Sequence, residues 1–243
     1  MLLPARVSST IALLKLLLSI LMLCAVAPMP AQTCATVQNM ISVAKLNSST
    51  DSSGFPKAEA WNSAKPIQFC ADWQGKNPDP QRQTEVQALW STDTLYLRFR
   101  ASYRELYTYP GGPERRDHLW DRDVAEVFLQ PPHQSGRVYS EIEVSPNGDW
   151  IDLAIANGEH EDLRSAVKSR VTVDERAKLW TAEVALPMKS VTPMFDPGQS
   201  WRVNFFRIEG PEPSRFYSSW QPTNTPKANF HVPEAFVEMR FDK

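Results

Sequence analysis

The sequence predicts an all-β fold, a sandwich of about ten strands joined by long loops. Three observations predict it. Apolar and polar residues alternate with a period of two from Thr84 onward, and no long stretch keeps a helical period. Turn-forming residues punctuate the alternating segments. Twenty prolines stand against nine glycines, and the prolines crowd the connections, as expected of short strands joined by stiff loops.

Taken in order, the strands begin with Glu85 to Trp90, which places Val86, Ala88 and Trp90 on one side. Ser91 to Thr94 reads as a turn. Leu95, Leu97, Phe99 and Ala101 then face one way, and Tyr96, Arg98, Arg100 and Ser102 the other. That pattern is a hairpin with one buried face. Val124 to Leu129 is stopped by Pro131 and Pro132. Val138 to Ser145 returns through Pro146-Asn147-Gly148-Asp149 into Trp150 to Ile155, because Asn-Gly accepts the positive φ angles of a tight hairpin. Val167 to Val173 and Leu179 to Leu186 form another hairpin. Trp201 to Ile208, Phe216 to Trp220 and Val237 to Phe241 complete the set. Upstream, Glu59-Ala60-Trp61 reads as a short helical turn packed on the sandwich. Residues 104–123 and 210–235 are long polar insertions, and long loops in a compact domain tend to carry function.

Residues 1–31 read as a secretory leader. Arg6 precedes an apolar run from Ile11 to Ala27, and small residues and prolines follow. The alternative is an uncleaved anchor, for which the run falls a little short of the ~20 apolar residues of a spanning helix. Cleavage after Ala31 leaves a flexible segment, 32–58, with the polar stretch Asn47 to Gly54, and then one domain, 59–243. Export makes the compartment secreted or periplasmic, with no stable membrane insertion once the leader is gone. Cys24 leaves with the leader; Cys34 and Cys70 remain as an even pair that can form a disulfide. The formal net charge of −2 and the lack of a basic block argue against a nucleic-acid footprint.

Three groups of residues can carry chemistry. Trp120 stands among polar residues at a loop-to-strand junction, in His118 to Phe128. It is either a platform for the apolar face of a pyranose or a cap on the end of the sandwich. Glu126 alternates with Val124 and Phe128, and an acid on that face needs a partner or a lined pocket. With Glu141 and Glu143 on the next strand it can mean saccharide hydroxyl acceptors, a calcium site, a glycosidase pair, or a solvated face. The third group is the segment from Trp220 to Glu234, dense in amide, aromatic and imidazole groups: Trp220, Asn229, Phe230 and His231. Asn204 and Arg207 lie on the strand leading to it, and each needs a polar partner or a cavity. Ties within the protein are the alternative for all of them. The sequence has no nucleophile elbow, no zincin motif, no phosphate-cradling loop and no dinucleotide fingerprint. His160-Glu161-Asp162 reads as a solvated turn.

Thr84 to Phe99, Trp120 to Leu129, Trp201 to Arg207 and Ser219 to Thr223 resemble the family 9 carbohydrate-binding modules and their relatives in the DOMON-like superfamily. Tyr139 to Asp152 and Asn229 to Phe236 resemble one bacterial branch of that superfamily. The resemblance spans roughly Glu59 to Lys243. It implies an immunoglobulin-like antiparallel sandwich that holds an oligo- or polysaccharide between two rings without catalysis. By position Trp120 matches the first ring, Glu126 its acidic partner and Phe230 the second ring, with the cleft open at the rim of the sandwich. Both rings are then expected to be removable without unfolding. Glu143 falls where the modules carry arginine. Calcium accompanies the sugar-binding members, and the superfamily also includes haem-binding and redox-partner sandwiches; a haem site would need axial ligands such as His231 with Met188 or Met194, and nothing in their spacing favours that.

Overall fold

The computed structural model describes Met1, Cys34 and residues 38–243. The expected leader, Met1 apart, lies outside the described residues, as does its cleavage site. Thirteen strands follow: β1 (Met40–Lys45), β2 (Ile67–Phe69), β3 (Thr84–Trp90), β4 (Thr94–Ser102), β5 (Val124–Gln130), β6 (Val138–Val144), β7 (Trp150–Ala156), β8 (Glu159–Asp162), β9 (Lys168–Asp174), β10 (Leu179–Pro187), β11 (Trp201–Glu209), β12 (Phe216–Ser219) and β13 (Val237–Phe241).

They form one curled sheet in the order β8-β7-β6-β5-β11-β13-β1-β3-β4-β10-β9, with β12 added to β11 and β2 to β3. β1 is the hinge of the curl. Met40 to Val43 pair in parallel with β13, and Ala44 and Lys45 pair in parallel with β3. The two arms close on a shared apolar cluster. Val127, Val203 and Phe205 come from one arm, and Leu97, Phe99 and Trp180 from the other. The Phe99 and Phe205 rings meet edge-on at 6.0 Å between centroids.

The all-β expectation holds, but the sheet is mixed rather than wholly antiparallel, and it has three strands more than the alternation reveals. β1 was hidden because only Ile41 and Val43 turn inward over six residues, beside a polar stretch. β2 has three residues. β8 is exposed at every position, so backbone pairing with β7 alone defines it. The segment expected to be flexible thus supplies the strand that joins the two arms. Its polar stretch is organised by Asp51, whose Oδ1 accepts from the Ser53 and Phe55 amides at 2.8 and 3.1 Å.

Local features follow the residue chemistry. Ala58–Ser63 is a 3-10 helix that buries Trp61 completely. In the β6–β7 turn only Gly148 takes a positive φ, +90°. Asn147 instead uses its side chain, donating to the Tyr109 carbonyl and to Asp149 at 3.0 and 2.9 Å. Cys34 and Cys70 are joined, with 5.3 Å between Cα atoms. Among the described residues, no helix is long and apolar enough to cross a membrane.

The arm formed by β5, β6, β7 and β11 is apolar on both faces. Its inner face meets the other arm. Its outer face carries a second cluster, including Val124, Phe128, Tyr139, Leu153, Phe206 and Ile208. Such a face must be covered. Leu119 from the β4–β5 loop and Phe230 and Phe236 from the β12–β13 loop pack onto it, and the cover is incomplete where acidic residues interrupt the apolar rows.

Candidate functional site

A cavity of about 240 Å³ lies on that outer face. The strands supply its floor. β5 contributes Glu126 and Phe128, β6 contributes Glu141 and Glu143, β7 contributes Leu153 and Ile155, and β11 contributes Ile208. Strand alternation explains the selection: Ala125, Val127, Ile142 and Val144 point the other way, into the core between the arms. Loops and edges supply the walls, with Trp120, His160, Tyr217, Asn229, Phe230 and His231.

The three carboxylates dominate the floor. Glu126 stands directly opposite Glu143 in the β5–β6 ladder, and Glu141 opposite Phe128. One oxygen from each lies within 4.8 Å of the others. They are 2, 3 and 0 % exposed for Glu126, Glu141 and Glu143 respectively. Glu126 Oε1, Glu141 Oε2 and both Glu143 oxygens accept from no N–H or hydroxyl of the protein, and the Glu141 and Glu143 carboxyls can share a hydrogen bond only when one of them is protonated. Burial drives the Glu126 and Glu143 carboxyls well above the usual carboxylate range, and repulsion within the group adds to it. Burial likewise pushes Glu141 up to about 7. Like charges opposed across strands are destabilising, and buried acids without partners cost more still.

The walls are aromatic. Trp120 is half-buried on the 3-10 helix Leu119–Asp121. Its ring centroid lies 4.9 Å from His118 and 5.9 Å from His160. Arg215 fixes this helix by donating to the Trp120 and Asp121 carbonyls. Phe230 stacks on Phe206 at 4.3 Å and 15°, with Tyr217 edge-on at 6.1 Å. His231 Nδ1 is 2.7 Å from the Tyr139 hydroxyl and 3.9 Å from Glu141 Oε2. Burial first, and His160 second, hold its imidazole below its ordinary pKa.

Asn204 anchors the loop that carries Phe230. Its amide donates to the Gln221 carbonyl, and its carbonyl accepts from the Gln221 amide, each at 3.0 Å. The residue thus ties the loop to the sheet, one of the alternatives its position left open.

Of the eight expected site residues, Trp120, Glu126, Glu143, Asn229, Phe230 and His231 line this one cavity. Arg207 and Trp220 do not. Arg207 points between the arms, donating to the Ser102 carbonyl and to Glu209 at 3.1 Å each. Trp220 packs at 5.7 Å against Phe205 in the core. Arg207 follows from β11 alternation, which sends Val203, Phe205 and Arg207 inward, and Trp220, whose backbone amide donates to the Phe205 carbonyl at 2.9 Å, packs on that same side. The cleft is on the outer face of one arm, not at the rim. Phe230 is buried beneath its loop, whereas Trp120 is half-buried.

Sequence reasoning missed Tyr217, Phe128 and His160. His160 is exposed, as expected, but it lies on β8 rather than in a turn, and pairing to β7 sets it opposite Ile155 at the cavity wall. Only the backbone register carries that information.

The floor could hold a cation, but it falls short of a calcium site. Calcium takes six to eight oxygen ligands, and beyond the three carboxylates the walls offer mainly rings and imidazoles. A haem is not supported by the candidate axial pairs. Met188 is buried in the core between the arms and Met194 is exposed, while His231 is on the outer-face cavity and bonded to Tyr139.

The fold recurs in solved structures. A candidate carbohydrate-binding protein from Bacteroides uniformis superposes with a TM-score of 0.69 at 15% identity, covering 84% of this chain and 99% of the other. A family 9 module from Caldicellulosiruptor kristjanssonii in complex with glucose gives 0.60 at 14% identity, covering 84% and 95%. The same organism's module with cellotriose gives 0.58 at 14%, covering 83% and 93%. At these identities the likeness is one of fold. An extracellular protein of Arthroderma benhamiae is 25% identical over 199 residues, 74% of this chain and 86% of the relative. Residues 54–236 match the family described as carbohydrate family 9 binding domain-like, a span that includes every cavity residue, and the chain belongs to that family.

Proposed function

We propose that this protein is an exported, non-catalytic saccharide-binding domain whose ligand lies in the outer-face cavity. One observation carries the reading: a half-buried indole and a group of buried, unpartnered carboxylates line the same cavity. A pyranose has an apolar face that packs on an indole and hydroxyls that satisfy carboxyl groups, so it matches both features at once. A second cavity of about 510 Å³ shares Trp120, Ile208 and Tyr217 with the first, so the indole stands beside both. The Caldicellulosiruptor modules of the same fold, seen with glucose and cellotriose, support this ligand class. The extracellular relative and the leader-like N-terminus support export.

Binding is favoured over hydrolysis by the placement of the acids. Glycoside hydrolysis uses two carboxyls flanking the scissile bond. Here all three rise from adjacent strands on one floor, so a ligand lies on one side of them.

Calorimetric titration with cellotriose tests the proposal. Trp120→Ala is expected to weaken binding at least about tenfold, a loss of roughly 1.4 kcal/mol, with an unchanged melting temperature. Wild-type affinity in that variant overturns the reading. Phe230→Ala is a poor probe, because removing a nearly buried ring costs about 3–5 kcal/mol of stability.

A further inference from the structure

We propose that the carboxylate floor receives a protonated amino group, and that the saccharide bound here is therefore an amino sugar with a free ammonium. The inference rests on the saccharide reading above and names the ligand class for the same cavity.

Four observations lead to it. First, the floor is a set of carboxyl oxygens that no N–H or hydroxyl of the protein answers. Four carboxylate oxygens of Glu126, Glu141 and Glu143 are unpartnered, and one oxygen of each falls within 4.8 Å of the others. An ammonium carries three N–H donors and no acceptor, one for each carboxylate. Second, nearby cations are committed elsewhere. Arg215 draws Glu126 down, but its guanidinium donates to the carbonyls of Trp120, Asp121 and Arg122. Arg207 lies on the inner face, bonded to Glu209. Burial holds the His231 imidazole below its ordinary pKa, and its Nδ1 is 2.7 Å from the Tyr139 hydroxyl.

Third, the walls suit an organic cation. The rings of Trp120, Tyr217 and Phe230 surround the acids, and aromatic faces attract ammonium groups. Fourth, the cavity of about 240 Å³ exceeds the space of a single metal ion, and the donor set is short of what calcium takes. A quaternary ammonium would fit the rings but has no N–H to give the orphaned oxygens. A neutral saccharide can bond to these carboxyls while burial keeps their protons on them, whereas an ammonium also answers the charge of those that ionise.

Three β-1,4-linked trisaccharides that differ only at carbon 2 test this: cellotriose with hydroxyl, the glucosamine trimer with ammonium, and its N-acetylated form with amide. Titrated into the wild-type protein near neutral pH, the glucosamine trimer is expected to bind at least about tenfold tighter than cellotriose, and N-acetylation is expected to abolish that gain. In Glu143→Gln, and separately in Glu141→Gln, the ratio of the two affinities is expected to fall below about threefold. The wild-type comparison stands even where a variant fails to fold.

Equal or tighter binding of cellotriose overturns the amine inference and leaves the saccharide reading intact. Spermidine binding as tightly as the glucosamine trimer overturns the amino-sugar assignment. Calcium binding to the chelator-stripped protein that is lost in Glu143→Gln overturns it in favour of a metal. Failure of all three trisaccharides to bind overturns both readings together.

Discussion

Arg207 and Glu126 occupy neighbouring strands and resolve a buried charge in opposite ways. Arg207, fully buried, donates to Ser102 and Glu209 and lies 5.3 Å over the Trp180 ring. Its charge is answered inside the protein. Glu126 has no such answer. The alternation of β11 and β5 placed both residues on their faces correctly. It could not say which face held a cavity, because a paired and an unpaired charge have the same sequence signature. The pairing of Arg207 has a measurable consequence. Arg207→Ala leaves Glu209 with only Arg82, at 3.5 Å, removes the cation facing Asp123, and is expected to cost about 3–5 kcal/mol in denaturant unfolding. A cost below about 1 kcal/mol would show that the charge is not needed between the arms.

At the scale of elements, the strands with one apolar row were legible and the strands without one were not. β4, β5 and β11 follow from period-two alternation. β8 does not, since Glu-His-Glu-Asp has no apolar row and exists through its hydrogen bonds to β7. With it went the role of His160. The β5–β6 pair shows the same limit for the site. Glu126, Glu141 and Glu143 could be assigned a shared side, but their closeness depends on register, and only the Glu126–Glu143 pairing fixes it.

That register also sets how stability responds to pH. The three carboxyls are harder to ionise in the fold than in the unfolded chain, so the folded state retains protons that the unfolded state has lost. Their stabilisation is complete below the ordinary carboxylate range and is lost as pH rises through their folded values, about 7 for Glu141 and well above the ordinary range for the other two. His231, with its pKa lowered, acts in the opposite sense but only below its ordinary value. Asp123, raised to about 6, acts in the same sense as the three and is largely titrated by then. From about pH 6.5 to 8 unfolding free energy is therefore expected to fall, by up to about 1.4 kcal/mol per pH unit for each carboxyl still protonated. Chemical denaturation across this range checks it. In Glu141→Gln/Glu143→Gln the slope should flatten, and a wild-type profile that is flat or rises contradicts the burial of these acids.

For the whole molecule, composition and alternation were enough for the all-β class, and the motifs from Thr84 to Phe236 were enough for the family. The mixed sheet was not, because β1 bridges the arms through two short parallel pairings, and parallel partners far apart in sequence leave no local turn signal. The position of the cavity follows from that curl. Two arms closing on each other occupy the inner faces, which leaves the outer face of β5, β6, β7 and β11 as the surface that loops must cover and a ligand can reach. A crystal structure of the protein soaked with cellotriose tests this most directly. The account predicts a sugar ring over Trp120 with hydroxyls directed at Glu126, Glu141 and Glu143. A saccharide seated on the other arm or at the rim, with this cavity empty, would contradict it.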